Sequence, residues 1–179
     1  MHRVRAGDET AAAELVQHYE PEIRRDIRLR LTNPKLRRVV DSMDISQSVF
    51  GNFFVRAVHG EFELDRPEQL MGLLSRMVTN KVIDRHRRET SRKAQYTVDD
   101  PVENRNLPGS TPTASAIISG EELLHQFQDR LSSDEREIAD LRRNGVPWSE
   151  IATTLGQNAD ALRKQLTRAC SRVMTELGF

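Results

Sequence analysis

Residues 147–179 read PWSEIATTLGQNADALRKQLTRACSRVMTELGF. Trp148, Ile151, Ala152 and Leu155 recur at helical spacing, which predicts one short helix over Pro147–Leu155. Gly156-Gln157-Asn158 then reads as a tight turn: the glycine tolerates positive φ, and the Asn158 side chain can cap whatever helix follows. The next segment carries an apolar stripe at Leu162, Leu166, Ala169, Val173 and Leu177. Its opposite side holds Asp160, Lys164, Thr167 and Ser171, flanked by Arg163 and Arg168. The pattern predicts a helix-turn-helix whose second helix offers a polar, basic face of short side chains to a DNA major groove. Arginine and lysine donate to guanine edges or phosphates, and a threonine methyl packs on thymine. A hairpin of helices packing only against itself is the alternative. Trp148 and Cys170 read as core.

Working outward, Ser132/Ser133-Asp134-Glu135 is a helix start and Asn144-Gly145 a helix stop. Arg142 and Arg143, just before that stop, are expected to add contacts to a DNA backbone. Residues 96–119 contain Pro101, Pro108, Gly109 and Pro112 among Ser, Thr, Asn and Asp, and no period survives there. They read as a linker, about 25–30 Å long on average and at most roughly 80 Å when stretched. Upstream, Asp8-Glu9-Thr10 opens a helix that Pro21 is expected to kink or restart. Asn33-Pro34 marks a break, Ser42 or Asp44 starts a helix that Gly60 closes, and Pro67-Glu68 opens another running through Arg88. No run alternates as a strand would. The expected fold is all-α: two small helical domains, 1–95 and 120–179, joined by a flexible acidic linker, 96–119.

Composition bounds the function. The 179 residues are 30% charged, 37% hydrophobic and 5% aromatic, a soluble helical balance without the rings for a large β-sandwich core. One cysteine forbids an internal disulfide and any multi-cysteine zinc site, and the five histidines are scattered. Neither a signal core nor an apolar run of membrane-spanning length occurs. No phosphate-binding loop, nucleophile elbow or metal-ligand cluster appears, so neither an enzyme nor a cofactor is expected. The chain reads as cytoplasmic, with no membrane insertion.

Lys+Arg and Asp+Glu number 27 each, which hides a strong segregation. Residues 71–95 set Arg76, Lys81, Arg85, Arg87, Arg88, Arg92 and Lys93 against Asp84 and Glu89, whereas residues 96–135 hold eight acidic residues and two arginines. The basic helix reads as a nucleic-acid surface, or alternatively as a solvated face.

Two further stretches complete the pattern. DSMDISQSVFGNFF, residues 41–54, places Asp44, Gln47, Ser48 and Gly51 on one helical stripe. LLSRMVTNKVIDRHRRE, residues 73–89, places Arg76, Asn80, Asp84 and Arg88 at successive i+4 positions, either a binding surface or a salt-bridged ladder. D-x-x-Q-x-x-F, then L-L-x-R-x-x-x-N-x-x-x-D-x-x-R, then a linker and a helix-turn-helix: this order resembles the sigma factors of bacterial RNA polymerase, in particular the compact extracytoplasmic-function (ECF) group. The resemblance covers nearly the whole chain.

It implies a role for each matched position. Asp44, Gln47, Ser48 and Gly51 would dock on core RNA polymerase. Phe62, in the loop Glu61 to Arg66, would help to capture a flipped base of the −10 promoter element. Arg76, Asn80, Lys81 and Asp84 would meet the melted strand, and Arg163, Lys164, Thr167 and Arg168 would read the −35 element. Leu73 stands where the family usually has Trp, which removes an aromatic from the melting helix. The implied partners are core RNA polymerase and promoter DNA, with an anti-sigma factor or other regulator also possible. The chain ends directly after the recognition helix, so regulation is expected from outside it. Two other classes remain: a stand-alone helix-turn-helix regulator, which leaves the basic helix and the D-x-x-Q stripe unexplained, and a small nucleic-acid enzyme, for which no catalytic constellation is visible.

Overall fold

The computed structural model describes residues 2–32, 41–62, 64, 66–95 and 120–179. Among them every element is helical: α1 (His2–Arg5), α2 (Glu9–Arg30), α3 (Ser42–Val58), α4 (Pro67–Gln95), α5 (Gly120–Asp129), α6 (Ser133–Arg143), α7 (Trp148–Leu155) and α8 (Ala159–Glu176). The all-α expectation holds. The segment read as a linker, 96–119, and the Asn33-Pro34 break lie outside the described residues.

Caps explain most boundaries. Asp8 accepts from the Ala11 N–H at 3.0 Å to start α2, and Asp41 accepts from the Met43 N–H at 2.9 Å to start α3. Ser132 and Glu135 form a reciprocal capping box at α6, at 3.3 and 2.9 Å. Pro21 does not restart α2, which runs unbroken through it. Both Pro21 and Gln17, whose carbonyl would have received the missing N–H, are exposed, so water can take up the orphaned acceptor. The basic helix α4 continues past Arg88 to Gln95, beyond its expected end.

Two apolar cores form. In the first, Ile23, Ile27 and Leu31 of α2 and its C-cap meet Ile45, Val49, Phe50 and Phe53 of α3 and Leu70, Leu74 and Val78 of α4. The i, i+4 spacing on α2 and α4 is what brings these rows together. A polar clamp pins α2 to α4: the Ser75 hydroxyl donates to Asp26 at 2.7 Å, and Arg30 donates to both Asp26 (2.8 Å) and Ser75 (3.0 Å).

In the second core, Leu123 and Phe127 of α5, Ile138 of α6, Trp148 and Ile151 of α7, and Leu162, Leu166, Cys170 and Val173 of α8 pack with Phe179. Trp148 (7% exposed) and Cys170 (0%) are core residues, as expected. Arg172 of α8 ties this unit together by donating to Glu135 at 2.7 Å.

The two cores meet along α3. Val55 belongs to the second cluster, although its neighbours Phe53 and Ala57 belong to the first. His59, the C-cap of α3, is fully buried with its ring 4.7 Å from that of Phe127. Its Nδ1 lies 2.7 Å from the Val55 carbonyl and so carries the hydrogen, while Nε2 is buried without a hydrogen-bond partner.

Burial pushes the His59 pKa below its ordinary value. Arg143 of α6 adds repulsion, while the Val55 carbonyl and Asp140 of α6 oppose the shift. The unfolded or undocked chain therefore binds more protons than the docked one, so the stability that neutral His59 contributes is complete above pH 6.5 and declines as pH falls below it. His18, His86 and His125 are exposed. Thermal melts between pH 7.5 and pH 5.5 should show a drop in Tm that His59→Leu flattens; an equal drop in both proteins would exclude His59 as its source.

Candidate nucleic-acid interface

Helix α4 has two regimes. Its first half is anchored by Leu70, Leu74 and Val78, and Val82 is the last apolar residue packed on the core. Beyond that point its residues are mostly exposed, with Ile83 at 44%. The four i+4 positions Arg76, Asn80, Asp84 and Arg88 are all exposed, and Arg76, Asp84 and Arg88 form no ion pair among the described residues. The salt-bridged ladder is thus not what this stripe is. Its charged ends face solvent, as a surface for a polyanion requires.

Lys81 is different. It is half-buried beside this stripe, and its pKa is lowered to about 8, first by burial and then by the like charges of Arg85 and Arg88, with Asp84 opposing. An incoming phosphate would supply the negative charge this ammonium lacks. Leu73, in place of an aromatic, packs against the first core and adds nothing to the exposed face.

Phe62, the position implied in base capture, is half-buried. Its ring stacks on Phe53 with centroids 5.9 Å apart and an interplanar angle of 4°. Its carbonyl accepts from Arg5 of α1, which ties the start of the loop to the N-terminal turn. Glu63 and Asp65 of that loop lie outside the described residues.

The second basic face is on α8. Asn158 accepts from the N–H groups of Asp160 (2.8 Å) and Ala161 (3.3 Å), and Gly156 turns the chain in the left-handed region at φ 61°, where a side chain would be strained. Local sequence therefore fixes how α7 leads into α8. Arg163, Lys164, Thr167 and Arg168 all emerge exposed on the same helix. Arg163 is held from two sides: 3.5 Å from Asp160 and 5.8 Å from the Trp148 ring centroid. Asp160 also lies in the first turn of α8, where the helix dipole favours an anion.

Arg142 corrects the sequence reading. It is buried, 9% exposed, and its donors are taken up inside the protein. Its guanidinium donates to the Gly60 carbonyl (2.9 and 3.3 Å) and the Val146 carbonyl (2.7 Å), with its carbon 4.7 Å from the Trp148 ring centroid. Arg143 remains exposed. Nothing in the local sequence distinguishes the two arginines; the difference comes from α6 presenting one to α3 and the other to solvent.

The stripe on α3 is split by the fold. Asp44 is half-buried and Gln47 exposed. Ser48 is buried, and Gly51 lies under Phe179: a Cβ at Gly51 would sit 2.5 Å from the Phe179 ring. Arg56, Glu61 and His59, which the sequence did not single out, line the same junction. Their signal was present only as charge and imidazole on a helix that otherwise reads as apolar.

Among the described residues there is no cluster that would hold a metal ion, and no helix long and apolar enough to cross a membrane. Among the described residues every element is a helix, and α4 and α8 each present exposed basic residues. A family model described as ECF sigma factor matches residues 1–178, and the chain belongs to that family. The comparison supports a sigma factor role in transcription initiation, and the family is one of transcription regulators rather than an enzyme class. Searches of curated proteins and of solved structures found no match.

The charge state of Lys81 is directly testable. In a Cε–Hε NMR titration of the free protein, its signal should move with a midpoint near 8. The positive charge is present below that pH and lost above it. A midpoint at the ordinary lysine value would mean that the ammonium stands in water and that α4 presents it freely.

Proposed function

We propose that this chain is a dissociable specificity subunit: it binds bacterial core RNA polymerase, positions it on a promoter and holds the opened −10 DNA. On this reading residues 1–95 form the polymerase-binding and melting domain, residues 96–119 the linker and residues 120–179 the −35-reading domain. Asp44, Gln47, Ser48 and Gly51 engage the polymerase. Phe62, Arg76, Asn80, Lys81 and Asp84 receive the melted −10 strand, and Arg163, Lys164, Thr167 and Arg168 read the −35 element in the major groove. The place of action is the cytoplasm, with the polymerase. The observation that carries the reading is the projecting half of α4, whose Arg76, Asn80, Asp84 and Arg88 face solvent, in a chain matched over residues 1–178 by the family model.

Strand opening asks for no bond-making by the protein. It asks for cations against phosphates, amide and carboxylate groups against base edges, and pockets that offset unstacking, which costs a few kcal/mol per base. Residues on α4 supply the first two. Phe62 would contribute to the third, and its stacking on Phe53 gives it a firm backing. On α8, Thr167 offers a methyl for thymine, and Arg163, Lys164 and Arg168 offer donors for guanine or phosphate. Lys81, protonated on meeting a phosphate, would make −10 binding weaken as pH rises through about 8.

Two experiments test this. Labelled protein titrated against bacterial core RNA polymerase should bind saturably, and an Asp44→Ala/Gln47→Ala double variant should lose at least about tenfold in affinity, or 1.4 kcal/mol. No binding at micromolar core enzyme would remove the proposal. Asn80→Ala should still form the closed promoter complex but show weakened permanganate reactivity in the −10 region; unchanged reactivity would take Asn80 out of the melting surface.

A further inference from the structure

A cavity of about 340 Å³ lies among α1, α2, α3 and α5, away from both basic helix faces. Its wall is mostly hydrocarbon: Val4 of α1, Val16 of α2, Phe50 and Phe54 of α3, Leu123 of α5 and Phe179. The wall residues Glu9, Ala13 and Gln47 are exposed and mark where it meets solvent. Small side chains at Ala12 and Ala13 leave the α2 side of the space unfilled. Protein interiors hold few voids larger than a water molecule, whereas clefts of about 300–1,000 Å³ are the size that small ligands occupy.

The polar part of the wall has one sign. Asp8, Glu9 and Glu20 line the cavity, and among the described residues no lysine or arginine does. Asp8 is committed to the cap of α2 and to Arg3. Glu20 has only a long contact, 3.9 Å, to Arg24. Glu9 forms no ion pair among the described residues, and its Oε1 comes within 3.6 Å of where a Cβ on Gly120 would stand, at the edge between α2 and α5. Ser46 of α3 is also on the wall, 1% exposed, and its hydroxyl lacks a hydrogen-bond partner among the described residues.

We propose that this cavity is a binding site for a small organic cation, a flat apolar body carrying one ammonium group. The body packs against Phe50, Phe54 and Leu123, and the ammonium meets Glu9 and Glu20 at the solvent edge. A polar atom on the body would give the Ser46 hydroxyl the partner it lacks.

Shape and charge select the same class of molecule. The Phe50 and Phe54 rings are stacked, with centroids 6.2 Å apart and an interplanar angle of 22°, and Phe179 adds a third ring to the wall. Ring faces are electron-rich and attract a cation as well as a flat hydrocarbon. The carboxylates at the edge act in the same direction and repel an anion of equal shape. A neutral apolar molecule would gain the rings and leave the carboxylates unanswered.

The test uses the full chain and two probes that share a ring system and differ in the sign of charge, 2-(2-naphthyl)ethylamine and 3-(2-naphthyl)propanoate. Calorimetric titration at pH 7 should give one saturable site for the amine, with a Kd of about 1 mM or tighter, and at least about tenfold weaker binding of the propanoate. Methyl NMR shifts on adding the amine should centre on Val16, Leu123 and Leu124, which line the cavity. Glu9→Gln/Glu20→Gln should bring the two probes within about threefold of each other. Ala13→Phe, at an exposed position on the wall, should abolish amine binding and leave the other core methyl signals in place. No amine binding, propanoate binding as tight as the amine's, shifts that miss the cavity, or unchanged binding in Ala13→Phe would each overturn the proposal. A concentration-dependent dimer that Ala13→Phe breaks would give the cavity to a second copy of the chain and overturn it too.

Discussion

Helix α3 has to satisfy two hydrophobic cores at once, and the rest of the structure is arranged around that demand. Ile45, Val49 and Phe53 fill the core made with α2 and α4, whereas Val55 turns into the core made by α5 to α8. A helix apolar on one side and charged on the other would serve only the first. This one is nearly all buried over its second half, and its few polar groups there must find partners inside the protein. Arg56 finds Glu61 and Ser171, and the Gly60 carbonyl finds Arg142. The neutral imidazole of His59 leaves one nitrogen unmet. The junction thus carries both the apolar contact and most of the electrostatic tension of the molecule.

That tension has a direction. A buried ion pair offers little net stability against a hydrophobic replacement, yet breaking one partner leaves an expensive orphan. Arg56 and Glu61 hold each other, and the carboxylate also lies near Cys170, whose thiol is pushed well above the usual range by burial and by that neighbouring negative charge. A thiol so placed is a packing group rather than a nucleophile. By contrast, the surfaces turned to solvent on α4 and α8 keep cations with few internal partners. Charge is neutralised where the two units meet and left unspent where a polyanion would approach.

Much of this was legible in the sequence, for physical reasons that can be named. The caps at Ser132 and Asn158, the stop at Gly60 and the turn at Gly156 are local interactions, written within three or four residues, and each appears where expected. The i+4 spacing placed Arg76, Asn80, Asp84 and Arg88 on one face of α4, but whether that face was an open surface or a salt-bridged ladder took the fold to decide. Pro21 misled because the cost of a proline depends on whether its orphaned carbonyl is wet, a matter of tertiary placement. Arg142 misled for a similar reason: only the approach of α6 to the end of α3 separates it from Arg143. The cover over Gly51 was invisible, since it comes from Leu123 and Phe179, far along the chain, and spacing on one helix cannot reveal what lies against it.

The contact between Gly51 and Phe179 also bears on how such a chain can vary. No side chain fits at position 51 while the ring lies over it, since even a β-carbon would stand 2.5 Å from the ring edge. An alanine there and an aromatic at 179 exclude one another in the docked arrangement. Related chains that keep this docking should therefore change the two positions together, small against large. Where the pair drifts independently, the docking itself has been given up, and the history of one glycine becomes a record of whether its helix was ever covered.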